Sequence, residues 1–81
     1  MITGTQIRAA RALLGWSCHR FSNEVGLSYA CLQRAEAQSG VPGMVARNLY
    51  RVERTLSDAG IIFTEDTASI GVAIRREALA E

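Results

Sequence analysis

Lysine is missing from this 81-residue sequence, and its whole cationic charge rests on nine arginines. Eight acids nearly balance them, leaving a formal net charge of +1. That total is low for a nucleic-acid-binding domain, which ordinarily shows a clear basic excess, although a local patch fits within a neutral total. No apolar run approaches the roughly 18 residues that a membrane span needs, and no signal-peptide pattern opens the chain. These absences point to a cytoplasmic protein. There is one histidine, no carboxylate pair at useful spacing and no glycine-rich phosphate loop, so an enzyme is not expected. The two cysteines, Cys18 and Cys31, are expected to be free thiols in a reducing compartment. Together with His19 they match no zinc spacing and lack a fourth ligand, so neither a metal nor another cofactor is expected. Cys18 at a helix start is a candidate for redox sensing, but no resolving partner is evident.

What is present is a folding pattern. A 48% hydrophobic fraction supports one small folded domain, which buries about 60–65% of the surface its unfolded chain exposes. Ile7, Ala10 and Leu14 lie at i, i+3 and i+7 of a first helix, with Thr3 or Thr5 as its cap and Gly15 as its stop. Ser17 caps a second helix that buries Phe21 and Val25 and closes at Gly26, with Leu27 tucked into the turn. Ser28 caps a third, with Leu32 and Ala35 inward, and Gly40, Pro42 and Gly43 then break the chain. Val45, Leu49, Val52 and Leu56 trace a fourth helix from about Met44 to Ala59, ended by Gly60. After Gly60 the period changes to two. The runs "IIFTE" and "SIGVAIRR" read as strands around "DTAS"; Ile61 and Phe63 share one face of the first, and Ile70, Val72 and Ile74 share one face of the second. A lone hairpin is marginal in water, so this one must pack on the helices or pair with another chain.

Two short capped helices around a glycine turn, with "S..CLQRAE" in the second, resemble the helix-turn-helix of the Cro/repressor (XRE) family. "QIRAARALLGWS" and "VPGMVARNL" extend the resemblance over roughly residues 5 to 60, to small bacterial XRE regulators that end in a short β-hairpin. The expected fold is therefore mainly α: a four-helix XRE-type helix-turn-helix domain over 1–60, followed by a short C-terminal β-hairpin over 61–76. The hairpin either packs on the helices or serves dimerisation, and residues 77–81 form a frayed tail.

The resemblance implies an ion pair between Arg11 and Glu36 that locks the third helix onto the first; the other reading makes Arg11 a phosphate ligand. It also implies a third helix in the major groove, with Tyr29, Ala30 and Gln33 toward base edges. Gln33 can pair bidentately with adenine, and Ala30 can touch a thymine methyl. Ser17, Ser28 and the helix N-termini would contact phosphate. The family often carries donors where this chain has Cys18, Cys31, Ala37 and Val45. Arg20, and His19 when protonated, could replace them, or both could be solvated surface. Trp16 is expected in the core. Arg47, Arg51 and Arg54 form a basic stripe that is a solvated face by default. Two functions follow. One is a DNA-binding transcriptional regulator, working as a possible homodimer on operator DNA. The other is a degenerate helix-turn-helix antiactivator of the quorum-sensing or conjugative-transfer type, which binds and inhibits a transcriptional activator through Tyr29, Arg47, Tyr50, Arg51 and Arg54.

Overall fold

Thr3 decides where the first helix begins. Its hydroxyl accepts the Gln6 N–H at 3.2 Å, while the Gln6 carboxamide oxygen accepts the Thr3 N–H at 3.0 Å, a reciprocal capping box. The computed structural model describes residues 1–79. Helix α1 runs Gly4–Leu14, α2 Cys18–Val25, α3 Tyr29–Glu36 and α4 Ala46–Asp58; strands β1 Ile61–Glu65 and β2 Ile70–Ile74 follow. The chain is a mainly-α domain with a C-terminal antiparallel hairpin. None of the described helices is long and apolar enough to cross a membrane.

The caps do most of the local work. Ser17 and Ser28 accept the N–H of Arg20 and Cys31 at 3.0 and 3.1 Å, so each short helix has an orphan donor satisfied at its start. Gly15 and Gly26 end α1 and α2 with φ of 71° and 81°, a conformation that glycine enters without steric cost. The core collects one stripe from each helix: Ile7 and Ala10, Phe21 and Val25, Leu32 and Ala35, and Leu49, Val52 and Leu56, joined by Ile2 and Ile61. Each large apolar side chain buried there contributes roughly 1.5–3 kcal/mol. Leu14, Trp16 and Leu27 are half-buried at its margin, and Trp16 meets Phe21 with ring centroids 6.3 Å apart.

Three details depart from the sequence expectation. Val45 is not part of the buried stripe of α4: the helix starts one residue later, and Val45 is its extended N-cap, 59% exposed. A β-branched residue suits that extended backbone. Ile70 shares the alternation of Val72 and Ile74 but stands 43% exposed, because it lies at the turn end of the hairpin opposite Glu65. The chain also does not fray directly after β2, since Arg76–Ala78 form a 3₁₀ turn that brings Ala78 over Gly60. Residues 80 and 81 of the expected tail lie outside the described residues.

The hairpin register pairs Ile61 with Ile74 and Phe63 with Val72, which places these four on the core side. Asp66 shapes its turn by accepting the N–H groups of Ala68 and Ser69 at 2.7 and 2.8 Å. Gln6 then fastens the hairpin to α1. Its amide nitrogen donates to the carbonyls of Thr64 and Gly71, opposite each other across the ladder, at 3.1 and 3.0 Å. All the hydrogen-bonding groups of this buried carboxamide are thereby used.

A second joint fixes α1 against the end of α3. Gly4 donates its N–H to Gly40 at 2.9 Å, and a Cβ at Gly4 would overlap the carbonyl oxygens of Ala35 and Gln38. Those atoms are backbone and cannot swing aside. Gly4→Ala is therefore expected to destabilise the fold by about 3 kcal/mol, the upper part of the range for overpacking, as measured by urea unfolding.

The turn makes a second expectation. The N–H groups of Ala68 and Ser69 hold the Asp66 carboxyl below its ordinary pKa. Its stabilising effect is thus complete above the ordinary carboxylate value of about 4, and is lost as pH falls through the lowered one. Thermal unfolding followed from pH 5 to pH 2 should show an acid-sensitive component in the wild type that Asp66→Ala removes.

Candidate nucleic-acid interface

Helices α2 and α3 are eight residues each and meet around Gly26–Ser28. Their relative placement is set from α1. Arg11 donates from Nε and Nη2 to the two carboxylate oxygens of Glu36 at 2.7 and 2.9 Å, a bidentate pair. Its third contact, Nη1 to the Trp16 carbonyl at 3.0 Å, ties down the linker between α1 and α2. Arg8 adds a bond to the Glu36 carbonyl at 3.3 Å. The hydrogen bond that Arg11 donates to Glu36 raises the Arg11 pKa further above its already high ordinary value. Arg11 is thus engaged within the fold and does not present its guanidinium to a ligand.

With its inner face held this way, α3 exposes Tyr29, Ala30, Gln33, Arg34 and Ala37. These positions follow the helical period and form one continuous outer face. Tyr29, Ala30 and Gln33 were expected there. Arg34 was not singled out from the sequence, though the same spacing rule places it beside Gln33. It has no carboxylate partner among the described residues.

The remaining expected contacts are differently disposed. Arg20 does not stand free at the start of α2: its guanidinium lies over the Trp16 ring, 5.0 Å from the centroid, and its Nε is 3.6 Å from Glu24. The aromatic face and the acid compete with any phosphate for this side chain. His19 stacks on Tyr29 with centroids 4.5 Å apart and planes 15° from parallel, so the two helix starts share an aromatic pair. Ser17 and Ser28 use their oxygens as cap acceptors, which leaves each hydroxyl hydrogen able to donate. Cys18 and Cys31 are free and half-buried. No group of three or more His, Cys, Asp or Glu side chains converges to hold a metal among the described residues.

The basic stripe of α4 is partly consumed. Arg54 donates to Tyr50 Oη at 3.2 Å and to Asp58 at 3.3 Å; these bonds, Tyr50 first, raise its pKa. Arg51 reaches back over α2, with Nη2 2.7 Å from where a Cβ on Gly26 would sit. A cation at the C-terminal end of a helix complements its dipole, so Arg51 has a structural role there. Of the three, Arg47 and Arg51 have no hydrogen-bond or ion-pair partner among the described residues, and only Arg54 is so engaged. Arg47, Tyr50, Arg51 and Arg54 are all solvent-exposed.

No protein-family model matches the chain, and no curated protein matches it.

Removal of one partner from the Arg11–Glu36 pair leaves a poorly solvated charge. Glu36 is 8% exposed and Arg11 21%, so Glu36→Gln is expected to cost about 3 kcal/mol, the lower end of the range for a buried pair. Chemical denaturation should read this loss, together with weakened near-UV dichroism from Trp16, whose carbonyl Arg11 holds.

Proposed function

We propose that this chain is a non-enzymatic bacterial transcriptional regulator of the Cro/repressor type, cytoplasmic, and that it binds operator DNA through α3 as a homodimer. The observation that carries this reading is the outer face of α3, with Tyr29, Ala30, Gln33 and Arg34 exposed on a helix whose other side is locked to α1. A helix of this kind, capped and projecting at the surface, is the form that enters a major groove. Gln33 supplies the bidentate donor–acceptor pair for adenine and Ala30 the apolar contact for a thymine methyl. Arg34, without a carboxylate partner among the described residues, takes the phosphate role earlier considered for Arg20. Ser17 and Ser28 add hydroxyl donors at the helix starts.

A second reading has its own observation. Tyr29 is stacked on His19, and Val41, Val45 and Tyr50 are 48%, 59% and 62% exposed. Such apolar and aromatic exposure suits a protein partner, and Cys18, Ala37 and Val45 offer little to phosphate. On this reading the chain is an antiactivator that captures a transcriptional activator through Tyr29, Tyr50 and Arg47.

Band-shift titrations against the chain's own upstream region separate the two. Under the first reading Gln33→Ala relaxes base preference by about 1–3 kcal/mol at one position, and Arg34→Ala weakens binding to every sequence while lowering the salt slope by about 1. Absence of any shift at about 50 mM salt, where phosphate contacts are strongest, would reject DNA binding and leave the antiactivator.

A further inference from the structure

On the flank where α1 ends, several segments of the chain enclose a recess of ≈ 290 Å³. Leu13 and Leu14 come from α1, Trp16 from the link to α2, Ile74 from the end of β2, and Leu79 from beyond the 3₁₀ turn. Leu13 and Leu79 stand 43% and 51% exposed at its rim. The wall that Leu79 belongs to is held in place. Arg75 donates its N–H to the Gly60 carbonyl at 2.9 Å, and the N–H groups of Ala78 and Leu79 close onto the carbonyls of Arg75 and Arg76 at 3.0 and 3.1 Å. Ala78 then packs over Gly60, where a Cβ would overlap it. An apolar hollow of this kind, with a polar group at its edge, is the usual form of a ligand-binding groove.

Arg20 is the one charged side chain that lines this recess among the described residues. Its contact with the Trp16 ring leaves the N–H groups of the guanidinium unspent. The side chain makes no hydrogen bond among the described residues, and its one ion pair, with Glu24, is exposed and 3.6 Å long. Such a pair is worth little and exchanges readily for a better acceptor. Beyond Arg20 lies a second hollow, lined by Glu24, Thr55 and Asp58, which shares Trp16, Arg20 and Ala59 with the first. A single cation therefore stands at the boundary between an apolar chamber and an acidic one.

We infer that the apolar chamber binds a small amphipathic monoanion, a carboxylate on a short hydrocarbon chain. The hydrocarbon lies against Leu13, Leu14, Ile74 and Leu79. The carboxylate meets Arg20, whose planar fork matches its two oxygens. The volume is at the lower edge of the range for small-molecule sites, which suits a short chain. A protein partner needs a much broader face than this hollow offers. Glu24 and Asp58 repel any charge beyond the first, so a dianion such as a phosphate monoester is disfavoured. The site lies apart from the outer face of α3, and the inference does not require DNA binding.

Trp16 is the only tryptophan of the chain, so its emission reads the site directly. Octanoate is the probe, with octanol as the neutral comparator and octyl phosphate as the dianion. Octanoate should shift the emission saturably. The methyl resonances of Leu13, Ile74 and Leu79 should move in parallel, while those of Val41 and Val45 stay fixed. Arg20→Gln, at an exposed position, should keep its helical dichroism and raise the octanoate Kd about tenfold, the loss of one charge-assisted contact. Its octanol binding should be unchanged. No saturable shift at millimolar octanoate would overturn the inference. So would an Arg20→Gln variant that binds octanoate as tightly as the wild type, or octyl phosphate binding more tightly than octanoate. Emission that changes with protein concentration alone would put a second copy in the recess, and would overturn it too.

Discussion

The Arg11 guanidinium ties α1 to two other segments of the chain. Two of its nitrogens hold Glu36 at the end of α3, and the third holds the Trp16 carbonyl in the link to α2. An eight-residue helix has little stability of its own in water, since nucleation is costly and few bonds follow it. Both α2 and α3 are that short, so their orientation comes from packing and from this charge-assisted contact. The rigid outer face of α3 depends on it. Because Glu36 is almost fully buried, the pair also acts in the negative sense: any arrangement that separates the two leaves a charge without water or partner.

The small net charge conceals a lopsided distribution of partners. Arg11, Arg20 and Arg54 are joined to Glu36, Glu24 and Asp58. The other six arginines, Arg8, Arg34, Arg47, Arg51, Arg75 and Arg76, have no carboxylate partner among the described residues. Each of these pairs engages one cation and one anion, so the net charge of +1 is unchanged by them. What an anionic partner meets is therefore set by where the unpaired arginines stand, and a local cluster steers it more than the total charge does.

Local chemistry made most of the fold legible. The caps at Ser17 and Ser28, the stops at Gly15 and Gly26, and the spacing of Leu49, Val52 and Leu56 all act within a few residues, and a sequence displays such signals directly. Thr3, one of two candidates for the first cap, takes the role because Gln6 completes its capping box. What stayed hidden depends on distant partners. Gly4 looks like an ordinary helix-start residue until the end of α3 is laid against it, and Gln6 gives no sign of reaching the hairpin. In the interface, Tyr29, Ala30 and Gln33 follow from helical spacing, and Arg34 was available from the same rule. Arg20 and Arg51 were legible as exposed arginines, but their capture by Trp16 and by the end of α2 is a matter of side-chain direction that only tertiary packing decides.

The Gln6 carboxamide also orders events in time. Its two acceptors lie 58 and 65 residues further along the chain. On a ribosome, the four helices can gather their mostly short-range contacts while the hairpin is still unsynthesised. Gln6, already held by the capping box through the oxygen of the same carboxamide, waits with its two amide hydrogens unpaired. Closing so long a loop costs entropy that only the finished ladder returns. Completion of the native state is therefore tied to the emergence of Gly71, and a chain released before that residue keeps an open seam along α1.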